Sequence, residues 1–211
     1  MARRGRDYIA RHGETVFNAA ARMQGDAPHT PLTRAGFAQA EAIGMALRAL
    51  LGPKPALDLW ASPTGRALQT LAVMAEHLEL DWHKARTDER LREIGMGEWT
   101  GRFYADIVAE GGLVYDSATR LFARYAPGGE SYADVAARLR GWLDDHGAEA
   151  GDRLIVMHGI SARVLRALLT GAEPHPHCGA PVAADLPQGS VVEVTDGHEH
   201  ILHRGGGGGS A

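Results

Sequence analysis

The sequence contains a single cysteine, Cys178, among its 211 residues. One cysteine cannot form an intrachain disulfide and is typical of a reducing compartment, so we expect a cytoplasmic protein. No apolar run approaches the roughly 20 residues of a membrane-spanning helix. No apolar segment follows the basic start at Arg3, Arg4 and Arg6 either. The sequence therefore predicts neither a membrane span nor a targeting signal.

Positive charge is also in short supply. The 22 lysines and arginines are outnumbered by 26 aspartates and glutamates, and the formal charge is -4 at pH 7. This balance gives the chain no electrostatic basis for binding a nucleic-acid backbone. The hydrophobic content of 45% is that of an ordinary globular protein, and no internal repeat divides the chain. We therefore predict one domain over residues 1–204, followed by a flexible Gly/Ser tail at 205–211.

The hydrophobic pattern alternates between short strands and longer helices, which predicts an α/β fold. Strands are predicted at 8–10, 57–61, 82–85, 154–157, 191–194 and 200–202, the last two joined by a turn at Asp196-Gly197. Helices are predicted at 34–51 after Thr33, from Pro63 to 78 after Ser62, from Ser131 through 143, and at 161–170. In the first helix, we expect Phe37, Ile43, Leu47 and Leu50 to share the buried face.

The first strand ends in Arg11-His12-Gly13, a combination suited to phosphate chemistry. An arginine keeps its charge and offers planar donors that match phosphate oxygens, whereas a neutral histidine nitrogen can attack phosphorus. We expect Gly13 to let an anion approach the backbone closely. Residues 16–33 are interpreted as a long functional loop in which Asn18 and Arg22 are the notable polar residues. Alone, such a turn is equally compatible with a solvated loop.

Two later segments supply further parts of a phosphate site. Arg66 falls in the first turn of a predicted helix, where backbone N–H groups and the helix dipole already favour an anion. The apolar run 154–157 is typical of a central parallel strand and ends in His158-Gly159. Because open α/β sheets bind ligands at the carboxyl ends of their strands, we interpret this second histidine as part of the same site. A surface charge at Arg66 is the structural alternative.

The residues alone leave the acid of such a site undecided. Carboxylates occur at Asp88, Glu89, Glu93 and Glu98 in one glycine-punctuated segment, and each can simply be solvated. The region 103–127 carries scattered aromatic residues without a helical or strand period, and we interpret it as a partly helical excursion that forms the wall or lid of a pocket. The histidines near the carboxyl terminus do not have the spacing of a zinc site, so no metal site is predicted.

One set of motifs runs through the chain in a fixed order: Arg11-His12-Gly13, Asn18, Gln24-Gly25, Pro31-Leu32-Thr33, Ser62-Pro63 with Arg66-Ala67, Glu93, Gly97, Trp99, Gly129-Glu130-Ser131 and His158-Gly159. Together these motifs resemble the histidine phosphatase superfamily, and its phosphoglycerate mutase-like branch above all. The resemblance covers almost the whole chain. It implies a single-domain, three-layer α/β/α sandwich with a largely parallel, mixed sheet.

The resemblance also implies roles for individual residues. His12 would be the nucleophile that accepts the phosphoryl group. The phosphoryl oxygens would be bound by Arg11, Arg66 and His158, with Asn18 and Gly159 beside them. Glu93 would be the acid that protonates the leaving oxygen and then deprotonates water. We expect the arginines to lower the pKa of His12, and Glu93 to lie partly desolvated and away from them. No metal or other cofactor is required on this interpretation.

Three functions remain open at this point. The first is a metal-independent phosphatase that acts on a small phosphorylated metabolite. The second is a mutase with the same phosphohistidine, and the third is a non-catalytic phosphate-binding or scaffold protein. Only 65 positions separate Glu93 from His158, without the longer insertion that covers the substrate in mutases of the resembled family, and we expect a less covered site to favour hydrolysis. Neither nucleic acid nor membrane is an expected partner, and a homo-oligomer remains possible.

Overall fold

The structure is a computed structural model that describes residues 4–112, 114–116 and 118–206. Its strands are β1 (Asp7–Arg11), β2 (Leu57–Ala61), β3 (Arg86–Thr87), β4 (Asp152–Met157), β5 (Val191–Thr195) and β6 (His198–His203). Its α-helices are α1 (Val16–Ala19), α2 (Arg34–Leu51), α3 (Gly65–Leu78), α4 (Tyr104–Gly111), α5 (Tyr132–His146) and α6 (Gly159–Leu169). Short 3₁₀ helices lie at Trp82–Lys84, Glu89–Leu91 and Gly97–Trp99.

The six strands form one mixed sheet in the order β3-β2-β4-β1-β5-β6. The pairs β3-β2, β2-β4 and β4-β1 are parallel, whereas β5 is antiparallel to both β1 and β6. This confirms the predicted largely parallel, mixed sheet. The order places the carboxyl ends of β1 and β4 side by side at the centre of the sheet, with Arg11 opposite Met157.

Successive residues of each central strand enter two different hydrophobic cores, because side chains alternate between the faces of a sheet. Ile9 and Ile155 pack on the face covered by α5 and α6. Their neighbours Tyr8 and Leu154 pack on the face covered by α2 and α3. Helices therefore cover both faces of the sheet, which confirms the predicted three-layer arrangement.

The predicted buried face of α2 is wrong in two of its four positions. Thr33 caps the helix as predicted, and Ile43 and Leu47 are fully buried. However, Phe37 is 40% exposed and Leu50 is 54% exposed. Small residues are buried in the core instead. At Gly44, for example, a Cβ atom would lie 2.7 Å from the His77 ring of α3, so there is no room for a side chain between the two helices. The close packing of α2 on α3 therefore selects glycine and alanine rather than the largest apolar side chains.

Three predicted boundaries also need correction. Ser62 does not begin α3, because its backbone N–H donates to the Val156 carbonyl and continues the sheet; Thr64 is the N-cap instead. The strand predicted at 82–85 is a 3₁₀ helix after Asp81, whose side chain accepts from the His83 N–H, and the strand follows at Arg86–Thr87. The predicted loop at 16–33 includes the short helix α1.

Other local predictions hold. Ser131 and Asp134 form a reciprocal capping box at the start of α5. The β5-β6 hairpin turns at Asp196 and Gly197, both of which have positive φ. The division of the chain at residue 204 stays a prediction. Gly205 still donates its N–H to Ser190 Oγ at 3.0 Å, and residues 207–211 lie outside the described residues.

Candidate active site

The two motif histidines meet where β1 and β4 end. His12 follows the last residue of β1, and its N–H donates to the Met157 carbonyl at 3.0 Å. His158 follows the last residue of β4, and the two imidazole rings approach edge to face with their centroids 5.1 Å apart. Both side chains are buried. The sheet topology therefore brings together two residues that are 146 positions apart in the sequence.

Hydrogen bonding gives the two rings opposite tautomers. His12 Nδ1 lies 2.7 Å from its neighbour's carbonyl, Gly13 O, so we assign the proton to Nδ1 and the lone pair to Nε2. His158 Nδ1 accepts from Arg66 Nε at 3.2 Å, which assigns its proton to Nε2. One ring can therefore attack an electrophile while the other donates a hydrogen bond.

Both histidines are held neutral. Burial is the main cause that lowers the pKa of His12 well below 6.5, and the positive charges of Arg66 and Arg11 lower it further. Burial followed by Arg66 lowers the pKa of His158 in the same direction. The sequence predicted the effect of the arginines on His12 but not the larger effect of burial. At neutral pH the His12 Nε2 lone pair is thus available.

Arg66 lies in the first turn of α3, as predicted, and its side chain is completely buried. Its guanidinium donates to Gly25 O, to Ala27 O and Thr30 Oγ1, and to His158. Burial lowers the pKa of Arg66 to about 10, so the group stays charged at neutral pH. Four of its five donors are used by these bonds, which fix the direction of the remaining N–H of Nη2.

Arg11 is held by a segment that the sequence did not associate with the site. Its Nη1 donates to Leu186 O at 2.5 Å and lies 3.6 Å from Asp185 Oδ1. Its Nε is buried and has no hydrogen-bond partner in the part of the chain that the structure describes. No motif marks residues 185–186, and only the tertiary fold places them beside Arg11.

Asn18 lines a cleft together with Arg11 and His12. Its Oδ1 accepts from the N–H of Thr15, and its own N–H donates to the Thr15 hydroxyl oxygen, which completes a capping box at α1. This bonding leaves the Asn18 amide nitrogen as the group that could face an anion. Thr15 also donates to Gln24 Oε1, and Gln24 lines the cleft.

The predicted reason for Gly13 is wrong. A Cβ atom on Gly13 would overlap the Gly36 carbonyl oxygen at the start of α2. The Gly13 N–H is not directed at an anion either, because it donates to Thr70 Oγ1 at 3.1 Å. Glycine is therefore required at this position because the backbone after His12 lies directly against α2.

Glu93 is the carboxylate of its segment that faces the cleft. Asp88 pairs with Arg90, Glu89 pairs with Arg92, and Glu98 is exposed. The Glu93 carboxylate accepts three backbone N–H bonds, from Ile94 and from Ile160 and Ser161 in the first turn of α6. This helix begins at Gly159 with His158 as its N-cap, two residues earlier than predicted.

The expected separation of Glu93 from the arginines is also wrong. A Cβ atom on Gly159 would lie 3.4 Å from Glu93 Oε2 and 3.2 Å from the Arg11 guanidinium. The carboxylate and this guanidinium therefore both lie beside Gly159. Glu93 is half-buried, as predicted, and its backbone is supported by Arg138, which donates to Glu93 O at 3.2 Å.

The cleft in front of His12 continues toward the predicted excursion at 103–127, where α4 begins. Tyr104, Tyr115, Arg120 and Phe122 line it from that side. Arg163 of α6 also lines the cleft, and it joins two of its walls by donating to the carbonyls of Arg120 and Ala183. Because the aromatic residues follow no period, the sequence predicted a wall here without identifying its members.

Within the described residues, no group of three or more His, Cys, Asp or Glu side chains is arranged to hold a metal ion. None of the helices in that part of the chain has both the length and the apolar character needed to cross a bilayer.

The two buried neutral histidines should make stability depend on pH. Their pKa values lie well below 6.5 in the folded protein, whereas the unfolded chain has the ordinary value of 6.5. Between the folded-state pKa and pH 6.5, each histidine is protonated in the unfolded state but not in the folded state. The stability that comes from keeping the histidines neutral is therefore complete above pH 6.5 and is lost as the pH falls toward the folded-state pKa. We expect the free energy of unfolding to fall by up to about 1.4 kcal/mol per pH unit for each histidine.

Urea unfolding from about pH 7.5 to about pH 5.5 would measure this slope. The His158→Gln variant should lose one histidine's share of the slope. His83→Gln, which replaces an exposed histidine, is the matched control and should retain the wild-type slope. Equal slopes for the wild type and His158→Gln would contradict the assignment of a neutral buried His158.

Comparison with known proteins gives a consistent family. The model of the histidine phosphatase superfamily (branch 1) matches residues 8–205. A probable phosphoglycerate mutase, GpmB, of Yersinia enterocolitica is 31% identical over 183 residues, which cover 80% of this chain and 76% of that protein. A glucosyl-3-phosphoglycerate phosphatase of Mycobacterium tuberculosis is 36% identical over 174 residues, which cover 76% of this chain and 73% of that protein.

The fold is also similar to that of solved structures. The solved structure of mycobacterial hydrolase 1 superimposes with a TM-score of 0.72 at 30% sequence identity, covering 95% of this chain and 97% of that one. Sequence and fold comparisons therefore agree over nearly the whole of the described chain.

Proposed function

Because the chain belongs to the histidine phosphatase superfamily (branch 1), we propose that it is a metal-independent phosphatase that hydrolyses small phosphomonoester metabolites through a phosphohistidine on His12. The similarity to a glucosyl-3-phosphoglycerate phosphatase supports the reaction class, and we leave the substrate to experiment. The proposal needs a nucleophile, a cationic pocket for the phosphoryl oxygens and an acid, and His12, the two arginines and Glu93 meet these needs.

The observation that carries this proposal is the opposite protonation of the two histidines. His12 offers a lone pair on Nε2, and His158 offers an N–H on Nε2, with their rings 5.1 Å apart. A phosphoryl group that contacted both Nε2 atoms would meet a nucleophile in His12 and a hydrogen-bond donor in His158. The buried charges of Arg11 and Arg66 would stabilise the negative charge of the transition state, which is the main requirement of phosphoryl transfer.

The first step transfers the phosphoryl group to the protein. His12 Nε2 attacks phosphorus, the N–P bond forms, and the bond between phosphorus and the ester oxygen breaks. Glu93, in its protonated form, gives its proton to the departing oxygen, which leaves as an alcohol. The Nδ1 proton of His12, held by Gly13 O, stabilises the ring as it becomes an N-phosphorylated cation.

The second step returns the chain to its starting state. Water attacks phosphorus, the N–P bond breaks, and Glu93 takes the proton of the water to recover the acid. Inorganic phosphate then leaves. Glu93 can serve both steps because the alcohol and the water occupy the same side of the phosphoryl group in turn.

A mutase is the second candidate, favoured by the similarity to a probable phosphoglycerate mutase. Both activities would share the phosphohistidine and differ in what removes the phosphoryl group. A mutase has to keep water out and return the group to its substrate. The short connection between Glu93 and His158 supports hydrolysis, because it provides little chain to cover the cleft.

The test is phosphate release from a panel of phosphomonoesters, including 3-phosphoglycerate, with a metal chelator present. We expect inorganic phosphate and the free alcohol in equal amounts. Conversion of 3-phosphoglycerate to 2-phosphoglycerate without phosphate release would establish the mutase instead. Binding of inorganic phosphate with neither reaction would indicate the phosphate-binding protein.

A further inference from the structure

Two tyrosines form the part of the cleft that lies beyond the phosphate site. Tyr104 is the first residue of α4, and Tyr115 lies in the excursion that follows it. Their hydroxyl oxygens are 3.4 Å apart, and their ring centroids are 6.1 Å apart. Tyr115 also stacks on Phe122 with a centroid distance of 4.5 Å, which fixes its ring. The two hydroxyls are thus held next to each other by separate elements.

The pair shares its cleft with the candidate catalytic residues. Tyr104 lines the cleft together with the candidate acid Glu93 and with Arg11 of the phosphate site. Burial raises the pKa of Tyr104 to about 12 and that of Tyr115 well above its usual range. Both hydroxyls therefore keep their protons at neutral pH and can donate.

The hydrogen bonding of the pair is incomplete. Two hydroxyls carry two protons, and a bond between them can use only one. The 3.4 Å separation is also longer than the roughly 2.7–2.8 Å of a good O–H···O bond. In the described part of the chain neither hydroxyl has another partner. Both hydroxyls are part-buried and line the cleft, so an oxygen atom of a ligand that bridged them would supply the missing acceptor.

The surrounding side chains suit a carbon skeleton. Phe122, Met96 and Ile160 line the same cleft with apolar surface. A ligand that fits this environment has carbon atoms against the apolar walls and an oxygen acceptor at the tyrosine pair. Since His12 and Glu93 line the same cleft as this pair, an oxygen bound at the pair would belong to the leaving group of a phosphomonoester.

We propose that the Tyr104–Tyr115 hydroxyl pair is a specificity determinant that binds an oxygen substituent of the leaving group. The favoured substrates are then phosphomonoesters of polyhydroxy alcohols or hydroxy acids, and plain alkyl phosphates are disfavoured. This inference rests on the proposed phosphatase function and specifies the leaving group on which it acts.

The test compares two substrates with the same three-carbon chain, glycerol 3-phosphate and n-propyl phosphate. The ratio of their kcat/KM values should favour glycerol 3-phosphate, and Tyr104→Phe or Tyr115→Phe should each reduce that ratio about fivefold. Removing the hydroxyl alone keeps the ring packing. Tyr125→Phe is the matched control, because this exposed ring also packs against Phe122, and it should leave the ratio unchanged.

Two results would overturn the inference. An unchanged ratio would show that the hydroxyls do not contact the leaving group. An equal fall for both substrates would assign the tyrosines a structural or proton-transfer role. If the wild type hydrolyses no member of the phosphomonoester panel, the proposed phosphatase function fails; the ratio of the two dissociation constants, which needs no turnover, then tests the tyrosine pair separately.

Discussion

The His12→Ala variant is expected to lose turnover almost completely. The change removes the Nε2 atom that would form the bond to phosphorus, and the loss of a nucleophile typically costs on the order of 10⁴-fold or more in kcat. The geometry offers no simple substitute, because His158 Nδ1 is occupied by Arg66 and its Nε2 carries the proton. The loss should be visible as phosphate release below about one ten-thousandth of the wild-type rate.

The covalent intermediate gives a second and more specific measurement. Wild-type protein quenched during turnover of a radiolabelled phosphomonoester should carry label that is stable in alkali and lost in acid, as expected for an N–P bond. The His12→Ala variant should carry none. His83→Ala replaces an exposed histidine and should keep both the label and the activity.

Folding must be checked alongside, because alanine leaves a cavity beside His158. Circular dichroism and urea unfolding of His12→Ala provide this check. Retained turnover, or retained acid-labile label, in a folded His12→Ala protein would exclude His12 as the nucleophile.

The central layers of the fold were predictable because their signals are local. The apolar runs at β2 and β4 and the Thr33 cap of α2 are written in adjacent residues. Boundaries were less predictable where tertiary contacts decide them. Ser62 has the sequence of a helix cap, yet its N–H completes the sheet by bonding to Val156 O. In α2 the close approach of α3 decides which side chains are buried, so small residues are buried there and the larger Phe37 and Leu50 are not.

The residues of the candidate site likewise fall into those that local sequence predicts and those that it does not. The histidines and Arg66 stand at strand or helix ends, where position alone marks them. Asp185 and the tyrosine pair stand in segments without any period, and only folding brings them, together with Arg163 of α6, to the cleft. The sequence assigned Gly13 to anion binding, whereas backbone packing against Gly36 explains it. A motif therefore identifies which residues matter more readily than it identifies the contact that requires them.

The Glu93→Gln variant is expected to slow poor leaving groups far more than good ones. An alkoxide leaves slowly unless it is protonated, whereas an aryl oxide such as p-nitrophenolate can leave unaided. Losing a general acid typically costs about 10²- to 10⁴-fold. We therefore expect this loss in kcat/KM for glycerol 3-phosphate and a loss of less than about tenfold for p-nitrophenyl phosphate.

The ratio kcat/KM is the quantity to compare, because it reports only the steps up to the first irreversible one, the transfer to His12. The second step also depends on Glu93 and would appear in kcat. With p-nitrophenyl phosphate, Glu93→Gln should thus show a rapid burst of p-nitrophenol, equal to the amount of enzyme, followed by slow release of phosphate. Such a burst would separate the two uses of one carboxyl group.

The structural role of Glu93 requires a matched control. Glutamine keeps one carbonyl oxygen for the N–H groups of Ile94, Ile160 and Ser161, but its amide group would face at least one of these donors. We expect a loss of about 1 kcal/mol in the free energy of unfolding. Glu98→Gln changes an exposed carboxylate of the same segment and should affect neither activity nor stability. Equal slowing of both substrates by Glu93→Gln would then mean that the α6 terminus has been displaced or that another group is the acid, whereas selective slowing at unchanged fold assigns the proton transfer to Glu93.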